Sequence, residues 1–152
     1  MISNSGERYS MSSEENKAII GRLVEAFNEH NLDLMVDFIA PDFVDHTRQL
    51  RGLEKVKQYV TMVYNNFPDF HATIEDIIAE GDKVWILEKC TMTHTVEYRA
   101  ISPTGKKITE TLVEIYRVLN GKVVELWYVA DELDFLKQLG VIEHKGFPED
   151  VS

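Results

Sequence analysis

The sequence contains little cysteine and has no clustered basic charge. Cys90 is the single cysteine among 152 residues, so an internal disulfide is impossible and a zinc–thiolate cluster is excluded. The formal net charge is -10 and lysine and arginine form no run, which argues against binding to nucleic acid or to an anionic membrane. No apolar run approaches the roughly 20 residues of a membrane span, and we expect no signal peptide. These absences predict a cytoplasmic protein.

The composition is that of one globular domain. Hydrophobic residues make up 44% of the chain and charged residues 28%, and 152 residues are enough to bury a sizeable core. Residues 1–11 are polar and serine-rich, which predicts a disordered lead-in. We assign residues 12–141 to a single domain and residues 142–152 to a polar tail.

Helical periodicity dominates the first half of the chain. Ser12 and Glu15 have the spacing of a capping box, and apolar residues then recur on one face as far as Phe27. A second helix is predicted over residues 33–39, and a third begins at Gly52 and is closed by Pro68. Between the last two, residues 42–47 have the pattern of a brief strand or a loop.

After Pro68 the spacing of apolar residues changes from the helical period of 3.6 residues to the strand period of two residues. Strands are predicted over residues 70–79 and 83–98, the second with a bulge or bend, and a hairpin over residues 107–131. A short helix over residues 134–139 follows, capped by Gly140. Helices followed by a four-stranded antiparallel meander predict the α+β class.

The hairpin has two distinct faces. Asn120-Gly121 supplies the two positive φ angles of a type I′ turn, and with these residues at its centre Glu114 faces Trp127. One face mixes carboxylates with two aromatic rings and suits the wall of a polar-bottomed pocket: Glu110, Leu112, Glu114, Tyr116, Glu125, Trp127, Val129 and Asp131. The other face is nearly all apolar: Thr111, Val113, Ile115, Arg117, Val124, Leu126, Tyr128 and Ala130. The reverse orientation, with the acidic face in water, fits the pattern at least as well.

Three residues are candidates for catalysis. Asp131 ends the last strand beside Trp127, and a carboxylate that is shielded from water by an aromatic ring is suited to general acid–base chemistry. It is equally suited to cap the following helix, and both roles are compatible. His46 could be a surface turn residue and His94 a core histidine. Their spacing with Asp45 matches no metal-ligand motif, so we predict no metal site.

An ordered set of short motifs resembles the SnoaL-like polyketide cyclase (ester cyclase) family of the nuclear transport factor two-like superfamily. The resemblance spans residues 14–141 and rests on these segments: Phe43-Val44-Asp45-His46, Gly81-Asp82-Lys83-Val84-Trp85, Thr93-His94-Thr95, Pro103-Thr104-Gly105-Lys106, Tyr116-Arg117-Val118, Asn120-Gly121-Lys122, Glu125-Leu126-Trp127 with Asp131, and Gln138-Leu139-Gly140. It implies a cone, in which a strongly curved antiparallel sheet and N-terminal helices enclose a cavity. It also implies a homodimer, formed through the back of the sheet.

The resemblance implies a reaction and its residues. Cyclases of the family close a ring by intramolecular aldol condensation of a polyketide ester, without metal or cofactor. For this chain we expect related acid–base chemistry on a small hydrophobic carbonyl or ester compound in the cavity. Asp131 matches their general acid–base, and His46 and His94 match residues near the substrate oxygens. Trp127, Glu110, Glu114, Tyr116 and Glu125 would then line the substrate pocket.

The segment after His94 departs from the family pattern. Where the family often has glycine, this chain has Val96, followed by the bulky and charged Glu97-Tyr98-Arg99. These residues would narrow or reshape the mouth of the pocket, so the substrate need not be a polycyclic aromatic precursor. A non-catalytic binding or association module on the same fold is the alternative hypothesis. An isomerase or hydrolase that uses Asp131 is a further one.

Overall fold

The computed structural model describes residues 11–143 and has an α+β fold. Within these residues the helices are α1 (Ser13–Asn28), α2 (Leu32–Asp37), α3 (Leu53–Asn66) and α4 (Glu132–Leu139). The strands are β1 (Ile39–Asp45), β2 (Leu50–Arg51), β3 (His71–Glu80), β4 (Lys83–Thr93), β5 (Lys107–Leu119) and β6 (Lys122–Ala130). Most of the predicted lead-in and tail, residues 1–10 and 144–152, lies outside the described residues.

The curved sheet has six strands in the order β2-β1-β6-β5-β4-β3. The predicted four-stranded meander is therefore incomplete, because β1 pairs in parallel with β6 and carries β2 at its other edge. Pro41 lacks a backbone donor, and it lies where the β1–β6 register is interrupted between Ile39 and Val44. Because no ladder hydrogen bond is needed at this interruption, a segment that contains a proline and has a weak strand pattern can join the sheet.

Helices α1, α3 and α4 end where the sequence predicts, whereas α2 ends at Asp37 instead of residue 39 because Ile39 begins β1. The helices cover the concave face of the sheet. Ser12 and Glu15 form the predicted capping box of α1, and Gly140 ends α4 in the left-handed conformation with φ 78°. Apolar residues of α1 and α3, among them Ile20 and Val60, are buried against the sheet. None of the described helices is long and apolar enough to cross a membrane.

The hairpin turn is confirmed, but the predicted register is wrong beyond its first two pairs. Asn120 and Gly121 have φ angles of 51° and 77°, as a type I′ turn requires. Val118 pairs with Val123, but Arg117 pairs with Glu125, so Val124 is an extra residue in a β-bulge. One extra residue moves every later side chain of the strand to the opposite face of the sheet.

The bulge decides which residues of β6 face the helices. Leu126 and Tyr128 share the concave face with Glu114 and Tyr116, and they line the internal cavity with them. Glu125 and Trp127 lie on the convex face, contrary to the predicted pocket wall. The backbone N–H of Val118 at the bulge donates to the carbonyl of Asp82 (2.7 Å), a partner outside the hairpin. Because Asp82 lies outside residues 107–131, the sequence of the hairpin alone does not predict the bulge.

Candidate active site

A cavity of about 180 Å³ lies between the concave face of the sheet and the helices. Its wall is mostly apolar, and Val60 of α3, Phe67 directly after α3 and Leu112 of β5 are among the contributors. An engineered apolar cavity of about 150 Å³ holds benzene, so this space suits a compact organic ligand. The rest of the wall carries acidic, basic and tyrosine side chains, which are the candidates for chemistry.

Two buried glutamates on neighbouring strands form the acidic part of the wall. Glu88 of β4 is 5% exposed and Glu114 of β5 is 8% exposed. Glu88 pairs with Leu112 and Glu114 pairs with Ile86, so the two carboxyl groups are diagonal neighbours on the concave face. This arrangement places two carboxyl groups side by side in a mostly apolar cavity.

The surroundings of the two carboxyl groups differ. Burial, reinforced by the nearby charge of Glu114, raises the pKa of Glu88 to about 8. The thiol of Cys90 donates to Glu88 Oε2 (3.5 Å). Burial also raises the pKa of Glu114, but Arg48 and a hydrogen bond from the Tyr116 hydroxyl act against that rise. Glu88 therefore carries a proton near neutral pH, whereas Glu114 has the contacts that stabilise a carboxylate.

Arg48 is a half-buried cation in the cavity wall, and Asp45 positions it. The buried Asp45 carboxylate accepts from the backbone N–H of Arg48 (2.8 Å) and from Arg48 Nη1 (2.7 Å). The guanidinium lies over the rings of Tyr128 (3.8 Å) and Tyr59 (4.7 Å). These contacts hold a hydrogen-bond donor at the same cavity as Glu88 and Glu114.

Glu110, Glu114 and Tyr116, three of the predicted pocket residues, line the cavity. Burial raises the pKa of Glu110, with Arg99 opposing the rise and Glu132 adding to it. Arg99 and Glu132 also line the cavity, so the predicted departure after His94 does border it.

Asp131 lies on the surface, and the described cavity wall does not include it. It is the N-cap of α4, where its carboxylate accepts from the backbone N–H of Asp134 (3.1 Å). The sequence pattern predicts Asp131 beside Trp127 in a pocket, but the bulge at Val124 removes Trp127 from the concave face. Its capping role is observed, and its catalytic role stays a prediction.

The structure brings His46, Glu125 and Trp127 together, but on the convex face. His46 Nε2 lies 3.0 Å from Glu125 Oε1, and its ring stacks on Trp127 with centroids 4.4 Å apart. Arg117 Nη1 donates to Glu125 Oε2 (2.9 Å). None of these residues lines the described cavity, so the predicted cluster exists as a surface network.

His94 is buried without lining the described cavity. Its Nδ1 accepts from the backbone N–H of Thr104 (3.2 Å), and its Nε2 has no hydrogen-bond partner among the described residues. It therefore anchors the segment that connects β4 to β5. In residues 11–143 no group of three His, Cys, Asp or Glu side chains is arranged to hold a metal ion.

Sequence reasoning missed Glu88, Arg48 and Asp45. A signal for Glu88 was present, because it is in phase with the apolar residues Ile86 and Cys90 along an alternating strand. A charged residue at such a position is expected to be buried with a function or a partner. Arg48 follows the strand in a short turn, and its sequence pattern gives no comparable signal.

Solved structures of other proteins have the same fold. The solved structure of AclR from Streptomyces galilaeus, a proposed hydroxylase, superposes with a TM-score of 0.80 at 30% identity, covering 92% of this chain and 93% of that one. IdmH from Streptomyces antibioticus, described as a proposed polyketide cyclase, superposes with a TM-score of 0.73 at 32% identity over 82% and 98% of the two chains.

Sequence comparison leads to the same family. Aklanonic acid methyl ester cyclase AcmA of Streptomyces galilaeus is 25% identical over 115 residues, which are 72% of this chain and 79% of that protein. The profile of the SnoaL-like polyketide cyclase family matches residues 17–139. The chain belongs to the SnoaL-like polyketide cyclase family.

Proposed function

We propose that this protein closes a ring by cofactor-independent aldol addition within a small apolar carbonyl or ester compound held in the cavity. The observation that supports the proposal is the pair of buried carboxyl groups, Glu88 and Glu114, in an apolar cavity that Arg48 also lines. Family membership and the named cyclases among its relatives support the same reaction class.

The two carboxyl groups supply the base and the acid that the reaction needs. Ionised Glu114 removes a proton from the carbon next to a carbonyl, and the resulting enolate carbon forms a bond with a second carbonyl carbon of the same molecule. Protonated Glu88 then gives its proton to the new alkoxide. Arg48 and Asp45 balance each other in charge, and the guanidinium donates to the enolate oxygen. Proton transfer from Glu114 to Glu88 restores the starting state.

The test compares carboxamide variants on methyl esters of β-keto acids that contain a second carbonyl within reach of ring closure. Glu114→Gln and Glu88→Gln each remove one proton-transferring group, so we expect kcat to fall at least about 100-fold. Aldol addition leaves the mass unchanged, so the product is followed by chromatography and NMR. Glu29→Gln, which neutralises an exposed carboxylate at the end of α1, is the matched control.

Asp131→Asn separates this proposal from the hypothesis drawn from the sequence. We expect Asp131→Asn to keep kcat within about threefold of wild type, because asparagine caps a helix as well as aspartate does. A large loss of kcat in Asp131→Asn, with Glu88→Gln and Glu114→Gln active, would assign the proton transfer to Asp131 instead.

A non-catalytic binding module is the second candidate, and the mostly apolar lining of the cavity favours it. It predicts that the same esters bind, with a change in fluorescence, but are recovered unchanged. An isomerase would move a double bond, and a hydrolase would change the mass of the ester. The chromatographic assay therefore distinguishes all of these reactions.

A further inference from the structure

An ion pair spans the point where the cavity meets solvent. Among the described residues that line the cavity, Arg99 and Glu132 are the two that are exposed, with 46% and 52% of their side-chain surface accessible. They contact each other, since Arg99 Nη1 and Nη2 donate to the two Glu132 carboxylate oxygens at 3.1 and 3.5 Å. The residues at the entrance are thus bound to one another across it.

Arg99 lies at the tip of a segment whose base is fixed. The backbone N–H of His94 donates to the Lys106 carbonyl (2.9 Å), and that of Gly105 donates to the His94 carbonyl (2.8 Å). At the tip, Tyr98 and Ile101 form an isolated β-bridge. Residues 95–104, here called the flap, are therefore held at the base by β-type hydrogen bonds and at the tip by a side chain.

Tyr98 closes the cavity beneath the ion pair. Its ring packs edge-on against Phe67 at the end of α3 (5.0 Å) and Phe135 of α4 (6.2 Å), and all three line the cavity. The Arg99 guanidinium lies over the same ring, 5.3 Å from its centroid. Displacement of Arg99 therefore removes one of the contacts that hold Tyr98 over the ligand space.

We propose that the Arg99–Glu132 ion pair is the gate of the cavity, and that its rupture releases the flap from α4 and admits a ligand. An exposed ion pair of this kind shifts an equilibrium by only about 1.4- to 5-fold, so it opens readily. Glu110 lies close enough to the pair that the charges of Arg99 and Glu132 shift its pKa. When the pair opens, Arg99 therefore has a second carboxylate, that of Glu110, with which it can interact. The gate does not depend on which reaction follows.

Cys90 provides a measurement of opening that needs no known substrate. It is the single cysteine of the chain, is buried, and lines the cavity. Burial raises the pKa of its thiol, with the charges of Glu88 and Glu114 adding to the rise, so modification is slow. The neutral reagent dithiodipyridine forms a mixed disulfide with the thiol and releases thiopyridone, whose absorbance gives the rate. When closure is faster than modification, this rate is proportional to the open fraction.

Breaking the ion pair should speed the modification of Cys90. We expect Arg99→Ala and Glu132→Ala each to raise the rate about 1.4- to 5-fold, and the double variant to be no faster than the faster single one. High salt should accelerate wild type and leave the single variants unchanged, because it screens an interaction that they lack. Arg99→Lys keeps the charge and should remain close to wild type.

Lys17→Ala is the matched control, since it breaks an exposed ion pair with Glu14 (2.6 Å) in α1, away from the flap. Urea midpoints are measured for every variant. Equal rates in wild type and both alanine variants would overturn the proposal. Rates that follow the urea midpoint would also overturn it, because the reagent would then enter through global unfolding. A protein in which Glu88 and Glu114 have no catalytic role gives the same Cys90 rates, so the two proposals fail separately.

Discussion

Glu88 shows how a single buried carboxyl group links stability to function. Its partners are a weak thiol donor and a neighbouring carboxyl group, so its neutral form is the one that the fold accommodates. A carboxylic acid that is protonated at neutral pH is useful for donating a proton, and it costs stability whenever it ionises. The two consequences have the same physical cause and are measured separately.

The stability of the protein should decrease with rising pH because of Glu88. Its pKa is about 8 in the folded protein and 4.5 in the unfolded chain. Between these two pH values the folded protein therefore binds more protons than the unfolded chain does. The contribution is complete below pH 4.5 and is lost as pH rises towards 8, at up to about 1.4 kcal/mol per pH unit. Urea unfolding of wild type from pH 5 to 9 should show this loss, and Glu88→Gln should reduce the slope.

Glu29→Gln serves as the control for that titration, because it removes an exposed carboxylate. Other buried groups such as Glu114 also contribute to the slope, so the difference between wild type and Glu88→Gln is the informative quantity. Parallel stability curves for these two proteins would show that Glu88 is ionised in the folded state. The acid role proposed for it would then be wrong.

At the scale of elements, α4 gives Asp131 a structural role as its N-cap. The residue follows a strand and caps a helix, and the sequence also predicts it as a catalytic residue. Its carboxylate points to the backbone of Asp134 in the first turn. A cap residue and a catalytic residue at a strand end have the same local pattern, so only the register of β6 distinguishes them.

Substitutions of Asp131 should affect the stability of α4 according to capping ability. Asp131→Ala removes the acceptor for the Asp134 N–H, and we expect it to lower the free energy of unfolding by about 1 kcal/mol. Asp131→Asn keeps an acceptor and should change it by only a few tenths. Urea unfolding of the two variants checks the difference. Equal losses in both variants would mean that the negative charge, rather than the cap, is what α4 requires.

Local signals predicted the elements, and long-range contacts decided the rest. The capping box at Ser12, the turn at Asn120-Gly121 and the cap at Gly140 depend on neighbours within a few residues, and each was predicted from the sequence. The bulge at Val124 and the pairing of β1 with β6 depend on partners far along the chain. The sequence therefore predicts the positions of side chains that depend on local patterns. It does not predict the positions of those that depend on the bulge.

The candidate site follows the same division. Glu110, Glu114 and Tyr116 lie on β5, before the turn and the bulge, and the alternation predicted their shared face. Tyr128 was assigned to the opposite face because the bulge intervenes. Arg48 reaches the cavity through a turn around Asp45, a geometry that no periodic pattern encodes. A site that is assembled from a strand, a turn and a helix is thus only partly predictable from the sequence.

At the scale of the whole molecule, the convex face of the sheet carries two apolar rows. Trp85 pairs with Ile115 and Ile115 with Trp127, while Leu87 pairs with Val113 and Val113 with Val129. Several of these side chains are exposed, Val129 to 71% and Trp85 to 45%. A contiguous exposed apolar surface on an otherwise acidic protein is typical of an interface.

We propose that two copies of this chain pair through that face. A self-complementary apolar patch suits an isologous dimer, and the convex face leaves both cavities free. Sedimentation should then give a mass of 35 kDa, twice the 17.5 kDa of the chain. Val129→Asp places a charge in the centre of the patch and should weaken the dimer at least about 100-fold, because burying an unpaired carboxylate is costly.

Leu133→Asp is the matched control for this measurement, because Leu133 is also exposed (50%) but lies in α4 rather than on the sheet. It should leave the mass at that of the dimer. A wild-type mass of one chain at all concentrations would contradict the pairing. Equal dissociation by Leu133→Asp would instead assign the interface to the side of α4, beside the Arg99–Glu132 gate. Dimerisation and ligand entry would then be coupled, and the Cys90 modification rate would depend on protein concentration.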